Sequence, residues 1–156
     1  GKYKIRGNYE FPRRSSGSQV GKIELLQDRR IVGWVNDTDK RLGTFVYIIT
    51  GMYIPDKGMI YLLKSPLRNP HMDSVVWRLK QDKNKFEGCW TFLKGAEGFI
   101  SSRIFNDRTK KRAIEAAIKN LTVNSLEEIF FTDYLDDGLN RTEKKGCTGH
   151  LEFTRI

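Results

Sequence analysis

The chain has 156 residues, 38% hydrophobic and 30% charged, a balance that excludes a disordered polymer and suits one domain with a sizeable core. No apolar run approaches the ~18 residues of a membrane-spanning helix, and two cysteines, Cys89 and Cys147, are too few for a disulfide framework or a cysteine-rich zinc site. The formal net charge of +9 attracts polyanions and acidic partners.

Period-two alternation dominates the first two thirds of the sequence and predicts strands with one buried face. Tyr3, Ile5, Gly7, Tyr9 and Phe11 share a face of the first strand. A second covers about Val20 to Leu26 and turns through Gln27–Arg30 into a third, Ile31 to Val35. Asn36 to Gly43 reads as a polar loop. Thr44 to Tyr53 is a long strand with Phe45, Tyr47, Ile49, Gly51 and Tyr53 on one side. Pro55–Gly58 is a turn, Met59 to Lys64 returns, and Ser65 to His71 is a loop. Ser74 to Lys80 and Lys85 to Leu93 form a hairpin, and Phe99 to Phe105 is an eighth strand. The rhythm then changes. Asp107 or Thr109 caps a helix over 108–121, with Ile114, Ala117, Ile118 and Leu121 as its apolar stripe. Glu128 to Tyr134 and Gly149 to Ile156 read as further strands joined by an acidic loop.

Six of the 14 glycines have an apolar residue two places away on both sides: Gly7, Gly33, Gly51, Gly88, Gly98 and Gly149. Chance at this composition gives about two. Glycine weakens a flat strand, but it relieves crowding where a sheet coils into a small barrel. With Gly7-Asn8-Tyr9 in the first strand, a meander of about eight strands, a late helix and a final strand, the chain resembles the calycin superfamily of lipocalins, fatty-acid-binding proteins and avidin-like barrels. Lipocalins usually carry tryptophan where Tyr9 stands. The resemblance implies an antiparallel up-and-down β-barrel over residues 1–156, a cavity, and a small, largely apolar ligand.

Three strands are apolar on both faces: Phe45 to Ile49, Met59 to Leu63 and Ser74 to Trp77. A barrel with a wet exterior does not need that, so the helix 108–121 or a partner, such as a second copy of the chain, is expected to cover part of the outside.

Catalytic machinery is not legible. The two histidines, His71 and His150, lack metal-ligand spacing. His71, near Asp73 in a proline-bearing loop, reads as a surface side chain. The acidic run Asp133 to Asn140 departs from the calcium-loop order at Leu135 and reads as a solvated loop. No cofactor or metal site and no enzymatic constellation is expected. The inward aromatics Phe45, Tyr47, Trp77, Phe86 and Trp90 are the candidate ligand platform. Arg103 is the candidate inward charge, and Arg78 should point outward. The leading expectation is a non-enzymatic carrier of a small hydrophobic or amphipathic ligand. The alternatives are a polyanion- or nucleic-acid-binding module using Arg108, Lys110, Lys111 and Arg112, or an interaction domain. A cytoplasmic location is expected from the apparent absence of a leader in GKYKIRGNYEF and from the two thiols. Secretion after leader removal would bring the sequons at Asn36, Asn120 and Asn140 into use.

Overall fold

A computed structural model describes residues 1–67, 73–93 and 109–156. Eight antiparallel strands form a closed up-and-down barrel in chain order: β1 (Lys2–Phe11), β2 (Ser15–Leu25), β3 (Arg30–Asp39), β4 (Gly43–Ile54), β5 (Met59–Pro66), β6 (Ser74–Asp82), β7 (Lys85–Leu93) and β8 (Thr148–Arg155). The eighth strand expected at 99–105 lies outside the described residues. Closure is made by the C-terminal strand, which pairs with β7 (Gly88 opposite Gly149) and with β1 (Gly7 opposite Leu151).

The recurrent glycine marks close approach of neighbouring backbones. A Cβ on Gly88 would lie 1.9 Å from the Arg78 carbonyl oxygen, and one on Gly51 would lie 2.2 Å from that of Tyr61. Each obstacle is the backbone of the adjacent strand, which cannot swing away as a side chain can. Opposite each glycine sits a large apolar residue, Leu79 for Gly88 and Leu62 for Gly51. The barrel coils tightly where side chains are absent and is filled where they are large.

Two apolar layers result. Inside the barrel, Ile5, Val35, Ile49, Leu62, Trp77, Leu79 and Leu151 pack together. On the outside, Ile48, Tyr61, Leu63, Val76 and Cys89 form a second core with three helices. These are α1 (Lys110–Asn120), α2 (Val123–Phe130) and α3 (Asp133–Lys144). The two-sided apolar strands are therefore covered by the chain's own helices: α1 lies on β3 and β4, α2 on β4, and α3 on β7.

Where one helix was expected there are three among the described residues, and the strand expected at 128–134 and the acidic loop after it are largely helical. The reason is a four-residue rather than two-residue period: Leu126 with Phe130 and Leu135 with Leu139 are buried on successive turns. Each helix opens on a threonine whose hydroxyl accepts an N-terminal amide: Thr109 from Arg112, Thr122 from Ser125 and Thr132 from Leu135. Asp133 and Asp136 in the first turn of α3, with Arg141 and Lys144 in its last, complement the helix dipole. The buried face of α1 is Ala113, Ala117 and Leu121, one step round from the expected stripe; Ile114 is half-buried and Ile118 exposed. Two alanines let the helix sit close to the sheet. Arg30 of β3 fastens its far end, donating from Nη1 to the carbonyls of Ile118 (2.7 Å) and Leu121 (2.9 Å), which a helix C-terminus otherwise leaves unpaired.

Gly138 inside α3 behaves unlike the barrel glycines. A Cβ there would meet only the Thr91 side chain, at 3.9 Å. Gly138→Ala is expected to raise stability by ~0.5–1 kcal/mol through helix propensity, read as a higher urea midpoint. A lower midpoint would mean that α3 and β7 are packed too closely for a methyl group.

Candidate functional site

Strand β3 continues four residues beyond its expected end, so the segment read as a polar loop carries its alternation inward: Ile31, Gly33, Val35, then Asp37 and Asp39. On β5 the inward face runs Ile60, Leu62, Lys64. The register sets Gln19 of β2 opposite Asp37. Four polar side chains thereby enter one end of an otherwise apolar barrel.

Lys64 Nζ donates to Asp37 Oδ2 at 2.8 Å, with only 4% and 8% of the two side chains exposed. Aromatic rings surround the ammonium: Tyr47 at 4.7 Å, Trp77 at 5.2 Å and Tyr9 at 5.7 Å to their centroids. Burial pulls the Lys64 ammonium below its ordinary value, and Asp37 opposes that pull. The second carboxylate oxygen, Oδ1, is buried and receives no hydrogen bond among the described residues; neither does the Gln19 amide nitrogen make one there. A buried acceptor without a donor is unusual in a folded protein and needs an explanation; the residue paired with it in the register, Gln19, holds a buried donor in the same condition.

Asp39 is better supplied. The Tyr9 hydroxyl donates to one oxygen; Ser15 Oγ (2.7 Å) and the amides of Arg41 (2.8 Å) and Leu42 (3.0 Å) donate to the other. Burial raises its carboxyl, but these four donors outweigh it and hold the group below its ordinary 3.8. Burial, the bond to Asp39 and the neighbouring carboxylates push Tyr9 upward, so it stays a neutral donor. Tyr47 is pushed up by burial and by Asp37 and Asp39. Because the folded value of Asp39 is depressed, its contribution to stability is present above its unfolded value and is lost as pH falls through the folded one. Asp39→Asn is expected to flatten the acid limb of a stability–pH curve below about pH 4, measured as urea midpoints. An acid limb of unchanged slope would remove Asp39 as its source.

Beside these groups opens a cavity of about 130 Å³, walled by Tyr9, Phe11, Tyr47, Trp77, Trp90 and Phe92, with Asp37 and Asp39 in its lining. The rim rings brace one another edge to face: Phe11 on Trp90 at 5.0 Å and Trp90 on Phe92 at 5.4 Å. The Trp90 indole donates to the Glu10 carbonyl at 3.2 Å, which fixes its ring. A second hollow, about 250 Å³, opens at the other end between Tyr3, Ile31, Tyr53, Ile60, Phe86 and Phe153. The middle of the barrel is occupied by its own side chains, among them Ile5, Ile49 and Leu79, all fully buried.

Of the expected ligand platform, Tyr47, Trp77 and Trp90 come together at the charged end. Phe45 shares their inward face, opposite Asp37. Phe86 does not join them; it faces inward at the opposite mouth, because β7 runs the full height of the barrel. Arg103, like His71 and Arg108, lies outside the described residues. Arg78 points outward as alternation requires, donating to Asn140 Oδ1 (2.7 Å) and Asp136 Oδ1 (3.4 Å) of α3. Cys89 and Cys147 are buried free thiols. Burial pushes Cys89 up to about 11, with Arg78 opposing. Lys111 and Arg112 are exposed, whereas Lys110 lies over the Trp34 ring, Nζ 3.6 Å from its centroid.

Sequence reasoning missed Asp37, Asp39, Lys64 and Gln19. The signal was present: inward charges of opposite sign on two strands flanking β4, found by carrying the alternation past Val35. Among the described residues no helix is long and apolar enough to cross a membrane.

Set against protein-family models, curated proteins and solved structures, the chain matches none. Geometry alone therefore defines its class: a closed eight-stranded antiparallel barrel, helix-clad on one side, with an ion pair and a carboxylate in an aromatic-walled mouth.

Proposed function

We propose that the chain is a non-enzymatic, calycin-like binding protein that holds a small amphipathic ligand in the Asp37–Lys64 mouth of its barrel. One observation carries this reading: Asp37, a lining residue of an aromatic-walled cavity, has a buried carboxylate oxygen, Oδ1, with no hydrogen-bond donor among the described residues. Apolar walls with a few placed polar groups are what small-molecule sites present. The volume is close to the ~150 Å³ of an apolar cavity that accepts benzene, so the inserted part of the ligand is about one ring in size. Native mass spectrometry of protein purified without denaturation tests the reading. A co-purifying species of low mass, released on unfolding, supports it. A clean apo mass, together with no thermal shift across a panel of small aromatic compounds, would count against it.

A second reading rests on the outer surface. Lys4 pairs with Lys22 across β1 and β2, Lys22 pairs with Trp34 across β2 and β3, and Lys110 covers the same indole. Here an aromatic does interleave with lysines, as a polyanion-binding surface prefers. Binding to a single-stranded oligonucleotide that falls steeply between about 50 and 200 mM salt would favour it.

A further inference from the structure

We infer that the ligand of the Asp37 mouth is a monocationic aryl-alkyl amine, a ligand class that rests on the binding reading above. The charge of the site leads to it. Asp37 and Lys64 neutralise each other at 2.8 Å. Among the described residues that line the cavity, Asp37 and Asp39 are the only charged ones, so Asp39 adds a negative charge that no basic lining residue offsets, while Arg14 lies over the Phe11 ring at 6.0 Å. A carboxylate-bearing lining in a protein of net charge +9 favours a cation over an anion.

The chemistry of the open position agrees. Asp37 Oδ1 is a buried acceptor with no donor among the described residues. An alkylammonium is all donor and no acceptor, so it satisfies that oxygen without introducing a lone pair facing either carboxylate. A carboxylate or phosphate ligand would face Asp37 and Asp39, and Lys64, the nearby cation, is already committed. The walls agree as well. Ring faces attract cations, and Tyr9, Tyr47 and Trp77 already surround the ammonium of Lys64. The rest of the cavity wall, Phe11, Trp90 and Phe92, offers edges and faces to an aryl group.

Neutral and anionic isosteres isolate the role of charge without altering the protein. The full chain is titrated calorimetrically with 2-phenylethylammonium, 2-phenylethanol and phenylacetate. The ammonium is expected to bind at least about tenfold tighter than the alcohol, the factor that one ring–cation contact and one charged hydrogen bond supply, and phenylacetate is expected not to bind. The surface charge works against this order, which makes it diagnostic. Equal binding of alcohol and ammonium would overturn the inference and leave the binding reading standing on an apolar pocket. Tightest binding of phenylacetate would also overturn it and make Lys64 the anchor. Binding of none of the three would overturn it too. The broader reading would then fall only if native mass spectrometry also found no co-purifying molecule.

Discussion

Gly88→Ala is expected to lower stability by about 3 kcal/mol, the upper end of what overpacking costs in a filled interior. The added methyl meets the Arg78 carbonyl at 1.9 Å, and β6 is held on its other side by β5. No rotamer relieves that contact, so β6 and β7 must separate locally and loosen the Leu79 and Gly149 positions paired with Gly88. Urea unfolding of Gly88→Ala beside Gly138→Ala reads the difference directly. The same substitution is expected to harm in the barrel and help in α3. A loss below about 1 kcal/mol at Gly88 would mean that the barrel can open there and that the recurrent glycine has another cause.

Lys64→Met is expected to destabilise by about 3–5 kcal/mol, because it leaves Asp37 buried without a cation. Replacing both partners, Asp37→Leu with Lys64→Met, is expected to restore much or all of the loss, since two apolar groups of similar bulk carry no desolvation penalty. That pattern, a severe single and a mild double, distinguishes a dry ion pair from a solvated one. A single variant within about 1 kcal/mol of the parent would place water around Lys64 and Asp37. If the double variant folds as expected, it also gives a stable barrel whose mouth lacks its polar anchor, in which ligand binding should be lost while the fold is kept.

The barrel was legible because its causes are local. Alternation put Ile5, Ile49 and Trp77 on inward faces, and the spacing of Gly7, Gly51 and Gly88 pointed to tight coiling. The helical half was less so. Glu128 to Tyr134 contains Ile129, Phe131 and Tyr134, which mimic a strand. The decisive pairs, Leu126 with Phe130 and Leu135 with Leu139, are each four positions apart, the first of them across the assumed boundary at 128. The site was half legible. Aromatic faces named Tyr47, Trp77 and Trp90, but height along the barrel, which separates Phe86 from them, depends on strand stagger and leaves no trace in alternation. A buried charge was sought on the right principle; Arg103, the candidate, lies outside the described residues, and Lys64, on an inward face, was passed over. Asp37 and Asp39 were hidden by their polarity, since a run of Asn, Asp and Thr reads as loop until the strand is seen to need inward acceptors for Lys64 and Tyr9.

The most direct test of a ligand in the Asp37–Lys64 mouth is the indole N–H region of a proton–nitrogen correlation spectrum, titrated with 2-phenylethylammonium. The three tryptophans report on two places: Trp77 and Trp90 line the cavity, and Trp34 lies on the outer surface beneath Lys110. The Trp77 and Trp90 signals are expected to shift together and saturably while Trp34 stays still. Movement of Trp34 alone, or no movement at all, would contradict a ligand site in that mouth.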